Sequence, residues 1–531
     1  MEPNTEAPLL ESENFSEELR FLIRDCMSPQ PEGRPNAIKI RARAESRIKD
    51  HSEYRAAFLN FQLLLEAERG HPENVASILD NGATIDAKAG TDGEGVLHRA
   101  ARSGNSALIP VLTYKGGDLL ARAHNEETPL HCAAALGHAD FVKCLLCEMS
   151  SIDLFDELGW GPIHAAAANN HPEVIRILIK EGCVDVNIRT DNAKRLTPLH
   201  VAAQSNAEGA LKHLLARRAR IEAETGFGEV TLDLAAGNGH VGILEILLKE
   251  GAQVESKCTG KRKATTLHLA SSGGHAPAVD ILLQQKANIE ARNHVGETPL
   301  HCAAQLGHES VIELLLARGA KGEATVKSKN VDKNGWTALH LASAKGHIRV
   351  VETLLLCQVN VDARTRDGET VLHWAIRRGY EAVTIELLNG GADVRIGGTN
   401  QLTPLHLVAA YGTTGMVDTI LRKGAKLEAA TGTGETPLLL AAQYNRLDMV
   451  KDLLKRGAST QATNRAGQNA LHLAVQEVRN GVQQIVAVLI DKGARAKAKD
   501  GGRMTPLQIV NKQAWSDSVA HVRRVLQDAP S

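Results

Sequence analysis

A histidine, or a residue standing in its place, recurs along this chain at a nearly fixed interval. That interval limits the folds open to it more than any other feature. Aligned on His301, the positions are His98, His131, His164, His200, Asp233, His268, His301, His340, His373, His406, Leu439, His472 and Gln508. Successive steps are 33, 33, 36, 33, 35, 33, 39, 33, 33, 33, 33 and 36 residues. A unit of about 33 residues cannot bury a core of its own, so it has to stack on copies of itself. Thirteen anchored copies predict a solenoid.

The logic of one unit is legible from Thr298 to Ala320. Thr298 stands at a helix N-cap, where its hydroxyl is free to accept from an exposed amide. Pro299 follows at the first helical position, which suits its fixed φ and missing N–H. Leu300, Ala303 and Ala304 give a short helix with a narrow apolar face, and Gly307 is placed to close it in the left-handed conformation. Val311-Ile312-Glu313-Leu314-Leu315-Leu316 reads as a second amphipathic helix that ends at Gly319-Ala320. Two helices per unit, with T-P-L-H full or nearly so at 128–131, 197–200, 298–301 and 403–406, resemble the ankyrin repeat family. The resemblance covers residues 60–531. It implies an all-α solenoid of stacked helix-turn-helix units with hairpin loops, in which the T-P-L-H imidazole hydrogen-bonds neighbouring loops.

Five segments are expected. Residues 1–15 are an acidic, disordered tail, and 16–54 a helical N-terminal segment. Residues 55–94 are a degenerate capping repeat, 95–504 hold twelve repeats, and 505–531 form a C-terminal capping repeat with Trp515, Val519, Val522 and Leu526 on its helix. Longer connections fall at 184–196, 253–264 and 321–334, between repeats, and at 476–482, inside one. Within 16–40, the spacing of Leu22, Cys26, Pro31, Arg34 and Pro35 resembles the last helices of a protein kinase catalytic domain. The glycine-rich loop, H-R-D, D-F-G and A-P-E of that family are all missing, so no phosphoryl transfer is expected. Either this segment is the remnant of a kinase–ankyrin fusion, or it is a capping helix followed by a turn.

Composition narrows the function. Aromatic residues make up 3% of the chain, which suits many small layers better than one large core. A formal charge of −1 argues against a surface spread for polyanions, and direct nucleic-acid binding is not expected. No apolar run approaches the length of a membrane span, and the N-terminus is not a secretory signal. The eight cysteines show no disulfide framework. An intracellular protein, cytoplasmic, nuclear or both, is expected.

Catalytic and metal chemistry find little footing. Of 22 histidines, ten occupy the T-P-L-H position and seven more (71, 138, 171, 240, 275, 308 and 347) a recurrent Gly-His position, so the repeat accounts for most of them. Cys144 and Cys147 form a single C-x-x-C without a second pair at zinc spacing, and read as buried small hydrophobes. Gly226-Phe227-Gly228 and Gly432-Thr433-Gly434 read as hairpin tips, and no phosphate loop follows any glycine run. No catalytic residue, metal, cofactor or small-molecule substrate is expected.

The surface remains. In the family the resemblance points to, partner contacts come from the residue before the capping Thr and the two residues after the paired alanines. The first set holds Glu94, Glu127, Glu229, Glu297, Glu369 and Glu435, which predicts an acidic row of hairpin tips, interrupted by Trp160 and Trp336. The second position after the alanines is uncharged and non-aromatic from Ser103 to Leu306, then becomes Lys345, Arg378, Tyr411, Tyr444 and Glu477 at steps of 33. Arg377 and Gln443 lie beside that line. Arg and Tyr are the residue types that carry interface energy. The expectation is a scaffold or adaptor that binds one or more intracellular proteins on its concave face, through Lys345, Arg377, Arg378, Tyr411, Tyr444, Trp160 and Trp336. A nuclear co-regulator, supported by the basic hairpin Lys257, Lys261, Arg262 and Lys263, is one alternative. The non-catalytic targeting arm of a kinase–ankyrin fusion is the other.

Overall fold

The computed structural model describes residues 52–89, 92–149, 152, 155–255, 263–327, 334–477, 479–513 and 516–529. The acidic tail, the kinase-like stretch 16–40, Trp515, and Lys257, Lys261 and Arg262 of the basic hairpin lie outside these residues.

Among the described residues the chain forms fourteen helix pairs, from Ser52–Arg69 with Pro72–Asp80 to Pro506–Asn511 with Asp517–Gln527. Among the described residues the first helix runs across position 54 and buries Leu63 and Leu64, in the stretch standing where T-P-L-H would be. Two compact units divide the chain, one ending at Gly260 and the other beginning at Lys261. In each unit the first helices of successive pairs pack on one another as one layer, and the second helices as another. Among the described residues, strand structure is a two-residue antiparallel pairing of Lys88–Ala89 with Glu94–Gly95 and an isolated bridge between Arg364 and Thr370.

Local sequence explains each pair. Pro299 opens the helix Pro299–Leu306, and Gly307 closes it at φ +83°. Ala303 and Ala304 are fully buried, and their small side chains let neighbouring first helices approach closely. The second helix, Glu309–Ala317, buries Val311, Ile312 and Leu315. Each such side chain contributes roughly 1.5–3 kcal/mol by leaving water, which is why a stack of identical short pairs holds where one would not. Thr298 does sit at the N-cap with an extended backbone, but its hydroxyl does not cap an amide. It lies 2.7 Å from Nδ1 of His301, and the Thr298 N–H donates to the same nitrogen at 3.2 Å. The imidazole reaches back one turn and takes over the capping role from the threonine. Thr197 and Thr337 do accept from the amides of His200 and His340, each at 3.4 Å.

In the last pair, Val519, Val522 and Leu526 are buried. The long connection after residue 475 falls between Ala470–Ala474, cut to five residues, and Val482–Asp491.

Candidate interaction surface

Three sets of polar side chains hold each wall of helices in register. The first is the row of T-P-L-H histidines. His301 accepts at Nδ1 and therefore donates from Nε2, to the Trp336 carbonyl of the following hairpin at 3.2 Å. His131 reaches Trp160, His268 reaches Glu297, His373 reaches Leu402 and His406 reaches Glu435 in the same way, at 2.8–3.0 Å. Burial, above all, pushes His164, His200, His301 and His340 down to about 4, so these rings are neutral.

The second set points the other way. His138, His171, His308 and His347 of the Gly-His positions donate to carbonyls near the C-terminal end of the preceding first helix, those of Arg102, Ala135, Ser272 and Gln305, at 2.8–3.1 Å. These are carbonyls that a helix end leaves without an internal partner. Arg446 stands in for such a histidine and donates to Ala410 at 2.9 Å.

The third set was not anticipated from sequence. Arg122, Arg189, Arg292 and Arg364 each bridge a carbonyl of their own hairpin and one of the next. Arg292 donates to Gly296 at 2.7 Å and to Thr325 at 2.8 Å. Arg364 does so to Gly368 and Gly397, Arg122 to Glu126 and Phe155, and Arg189 to Arg195 and Glu224. The signal was present: each arginine follows an alanine or isoleucine and precedes its T-P-L-H histidine by nine or eleven residues.

On this frame, the acidic row is not a row of exposed tips. Glu94 is 3% exposed and Glu369 4%, while Glu297 is also buried. Glu94 turns back to Arg102, and Glu369 to Arg377 at 2.6 and 3.0 Å, in each case the arginine eight residues on. Each glutamate stands just ahead of the first helix that carries its arginine, and the charge-assisted hydrogen bonds to the guanidinium satisfy the carboxylate where it is buried. Arg377 is thereby occupied on two sides, since its guanidinium also lies 5.3 Å from the ring of Trp374.

The two tryptophans differ from the exposed anchors expected. Trp336 is 6% exposed and packs with Val326 and Leu341 under Trp374, ring centroids 4.5 Å apart. Trp374 thus covers the hairpin residue and was missed by the sequence reading. Trp160 is half-buried in the other unit, its ring tilted over His164 at 6.5 Å.

The remaining residues of the line stay outside. Lys345 and Arg378 are exposed and have no ion-pair partner among the described residues, whereas Glu477 pairs with Arg479 at 2.5 Å. Tyr411 and Tyr444 are 45% and 40% exposed. Their rings meet at 64° with centroids 5.2 Å apart, and the Tyr411 hydroxyl donates to that of Tyr444 at 3.1 Å. That hydrogen bond, followed by partial burial, pushes the Tyr411 phenol up. Lys345, Arg378 and Tyr411 are each the last residue of a first helix, and Tyr444 caps the next.

Elsewhere the chemistry is plain. Cys147 is exposed and Cys144 half-buried, so the pair is not the buried couple expected: the apolar face of Ala139–Glu148 runs through Phe141, Val142 and Leu145 instead. Burial pushes the Cys132 thiol up to about 12, leaving it unreactive. Among the described residues no group of three or more His, Cys, Asp or Glu is placed to hold a metal, and no helix is long and apolar enough to cross a membrane.

Comparison with known proteins adds the following. The family described as ankyrin repeats (3 copies) matches residues 63–157, 140–225, 232–326, 323–398, 384–464 and 405–500, all downstream of the kinase-like stretch. Neurogenic locus notch homolog protein 1 of Homo sapiens is 31% identical over 151 residues, covering 28% of this chain and 6% of that protein. Neurogenic locus notch homolog protein 2 of Homo sapiens is 31% identical over 153 residues, 29% of this chain and 6% of that one. The match therefore spans only a small part of these relatives' length. The crystal structure of the human ASB11 ankyrin repeat domain is similar at 27% identity and a TM-score of 0.39, over 44% of this chain and 99% of that one.

Proposed function

The chain belongs to the ankyrin repeat family, and from that premise we propose that it is a non-catalytic scaffold or adaptor which holds an intracellular protein against the wall bearing Lys345, Arg378, Tyr411 and Tyr444. Ankyrin repeats are a protein–protein interaction module, so the class of function follows from the family. The location rests on one observation, the edge-to-face pair of Tyr411 and Tyr444 left half-exposed on successive repeats. Tyrosine offers large contact area at little cost in side-chain entropy, and paired aromatic rings beside exposed cations are the composition of an interface hot spot. Trp336 is dropped from this site because it is buried, and Arg377 supports it through Glu369 and Trp374 without facing a partner.

The test is affinity purification with mass spectrometry from cells expressing tagged full-length chain. Tyr411→Ala with Tyr444→Ala should deplete specific co-purifying proteins strongly, each change costing ~2 kcal/mol or more of binding. The matching change of Asn169 and Asn238, at the same repeat position in the other unit, should leave them in place. If the asparagine pair proves the more damaging, the binding wall lies elsewhere. The non-catalytic half is checked separately: purified chain with ATP and Mg²⁺ should transfer no phosphate, and transfer that survives rigorous purification would reverse it.

A further inference from the structure

We propose that Asn480 is a site of spontaneous covalent modification: the Gly481 backbone nitrogen closes on the Asn480 side chain, expels ammonia as a succinimide forms, and water opens that ring to aspartate or isoaspartate.

The sequence supplies five candidates, since Asn-Gly occurs at Asn81, Asn238, Asn334, Asn389 and Asn480. Glycine has no β-carbon to shield its nitrogen and turns freely into the geometry the attack needs. That nitrogen attacks only after losing its proton, so an N–H held by an acceptor has first to be released. Gly82 donates to Leu79 at 3.1 Å, Gly239 to Ala236 at 3.2 Å, Gly335 to Val326 at 3.0 Å and Gly390 to Glu386 at 2.8 Å. Of the five, only the Gly481 N–H has no acceptor among the described residues. Asn81 and Asn238 also tie their side-chain amides to the Ser77 and Leu234 carbonyls, at 2.8 and 2.7 Å.

The surroundings of Asn480 favour the later stages as well. It is exposed, in the connection between Ala470–Ala474 and Val482–Asp491. Ser518, on the helix Asp517–Gln527, donates from Oγ to Asn480 Oδ1 at 3.2 Å. A donor on that oxygen draws electrons from the carbon under attack and stabilises the negative charge the oxygen takes up. Gly481 is the N-cap of Val482–Asp491, so the positive end of the helix dipole lies beside both the attacking nitrogen and the carboxylate that results. The bond from Cγ to Nδ2 breaks, the proton given up by Gly481 leaves with it as ammonia, and a water molecule splits either carbonyl from the ring nitrogen.

The change falls on a junction between repeats. Asn445 donates from Nδ2 to the Asn480 carbonyl at 3.0 Å, which ties the Leu439 repeat to the one that follows. In isoaspartate that carbonyl becomes a free carboxylate, and the chain to Gly481 runs through the β-carbon, longer by a methylene.

The test incubates the purified full chain at neutral and at mildly alkaline pH. After digestion, mass spectrometry follows the conversion of amide to acid in each Asn-Gly peptide, and protein isoaspartyl methyltransferase labels the isoaspartate. Asn480 should convert first, about tenfold or more ahead of the other four, and faster as pH rises. In urea, where no N–H is held and Ser518 is no longer near, the five rates should converge. Ser518→Ala should slow conversion of Asn480 several-fold, Ser518→Thr should preserve it, and Asn480→Gln should abolish labelling at this position. The comparison with and without urea needs no variant, so it decides the matter even where a substitution disturbs folding. Conversion led by another Asn-Gly pair, a lead of Asn480 that persists in urea, or a rate that Ser518→Ala leaves unchanged overturns the inference.

Discussion

His301 accepts at Nδ1 from Thr298 and donates from Nε2 to Trp336, so both ring nitrogens are satisfied only when the imidazole is neutral. Its folded value lies near 4, against about 6.5 in an unfolded chain. Between those values the unfolded state binds the extra proton. Stability is therefore complete above about pH 6.5 and falls as pH drops through 6.5 toward 4, by about 1.4 kcal/mol per pH unit for each such histidine. The chain contains its own non-titrating substitute: Gln508 accepts from the Thr505 N–H at 2.9 Å in the same geometry. His301→Gln should consequently lower stability at neutral pH but flatten its decline between about pH 6.5 and about pH 5, seen in urea midpoints. An unchanged slope would show that the ring titrates freely. A second residue-scale expectation concerns Arg377. Arg377→Ala leaves the Glu369 carboxylate buried without its cation, and should cost about 1–3 kcal/mol in thermal or urea unfolding. The histidine row was fully readable in the sequence because its spacing repeats. The inward turn of Glu94 and Glu369 was not, since each depends on one arginine eight residues later that most repeats lack.

Helices and hairpins follow different rules in this chain. Helix pairs were legible because proline, paired alanines and a closing glycine each act on their own turn of chain. Hairpins are set by contacts between repeats about 33 residues apart, which local reading does not reach. Gly296 shows the difference. Its φ is +80°, and a β-carbon there would stand 2.2 Å from the Lys327 carbonyl oxygen of the next hairpin. The same glycine gives its carbonyl to Arg292. Gly296→Ala combines left-handed strain of about 1–2 kcal/mol with a backbone collision. It should therefore destabilise the second unit by more than Gly319→Ala, where φ is +91° but nothing lies within 4 Å. Equal losses in the two variants would mean that the hairpins do not brace one another. Trp336 belongs to this scale as well: a tryptophan at a tip reads as exposed until the neighbouring repeat contributes Trp374 to cover it.

At the scale of the molecule, the repeats within each unit are held by their neighbours, so the weakest junction sets where a stack opens. Leu439 replaces a histidine with a hydrocarbon that has no group to offer the following hairpin, and Asp233 keeps the capping bond to Val230, at 3.0 Å, on a shorter side chain. Amide hydrogens of the Leu439 and Asp233 repeats should exchange before those of the His301 repeat. Uniform protection along the chain would contradict this.

From His340 to His472 the step never varies, and every staple is directional: one row donates forward to a hairpin, the other backward to a helix end. Such a chain can be spliced. Removing residues 374–406 would join His373 to Leu407 and let His373 address the Glu435 carbonyl that His406 now uses, while Glu369 would lose Arg377, whose place Ala410 takes. The shortened chain should fold, with its melting enthalpy reduced about in proportion to its length. It would also bring Lys345 directly before Tyr411 and erase Arg378, so that gain or loss of a single cassette edits the message displayed on the wall while leaving the grammar of the stack intact.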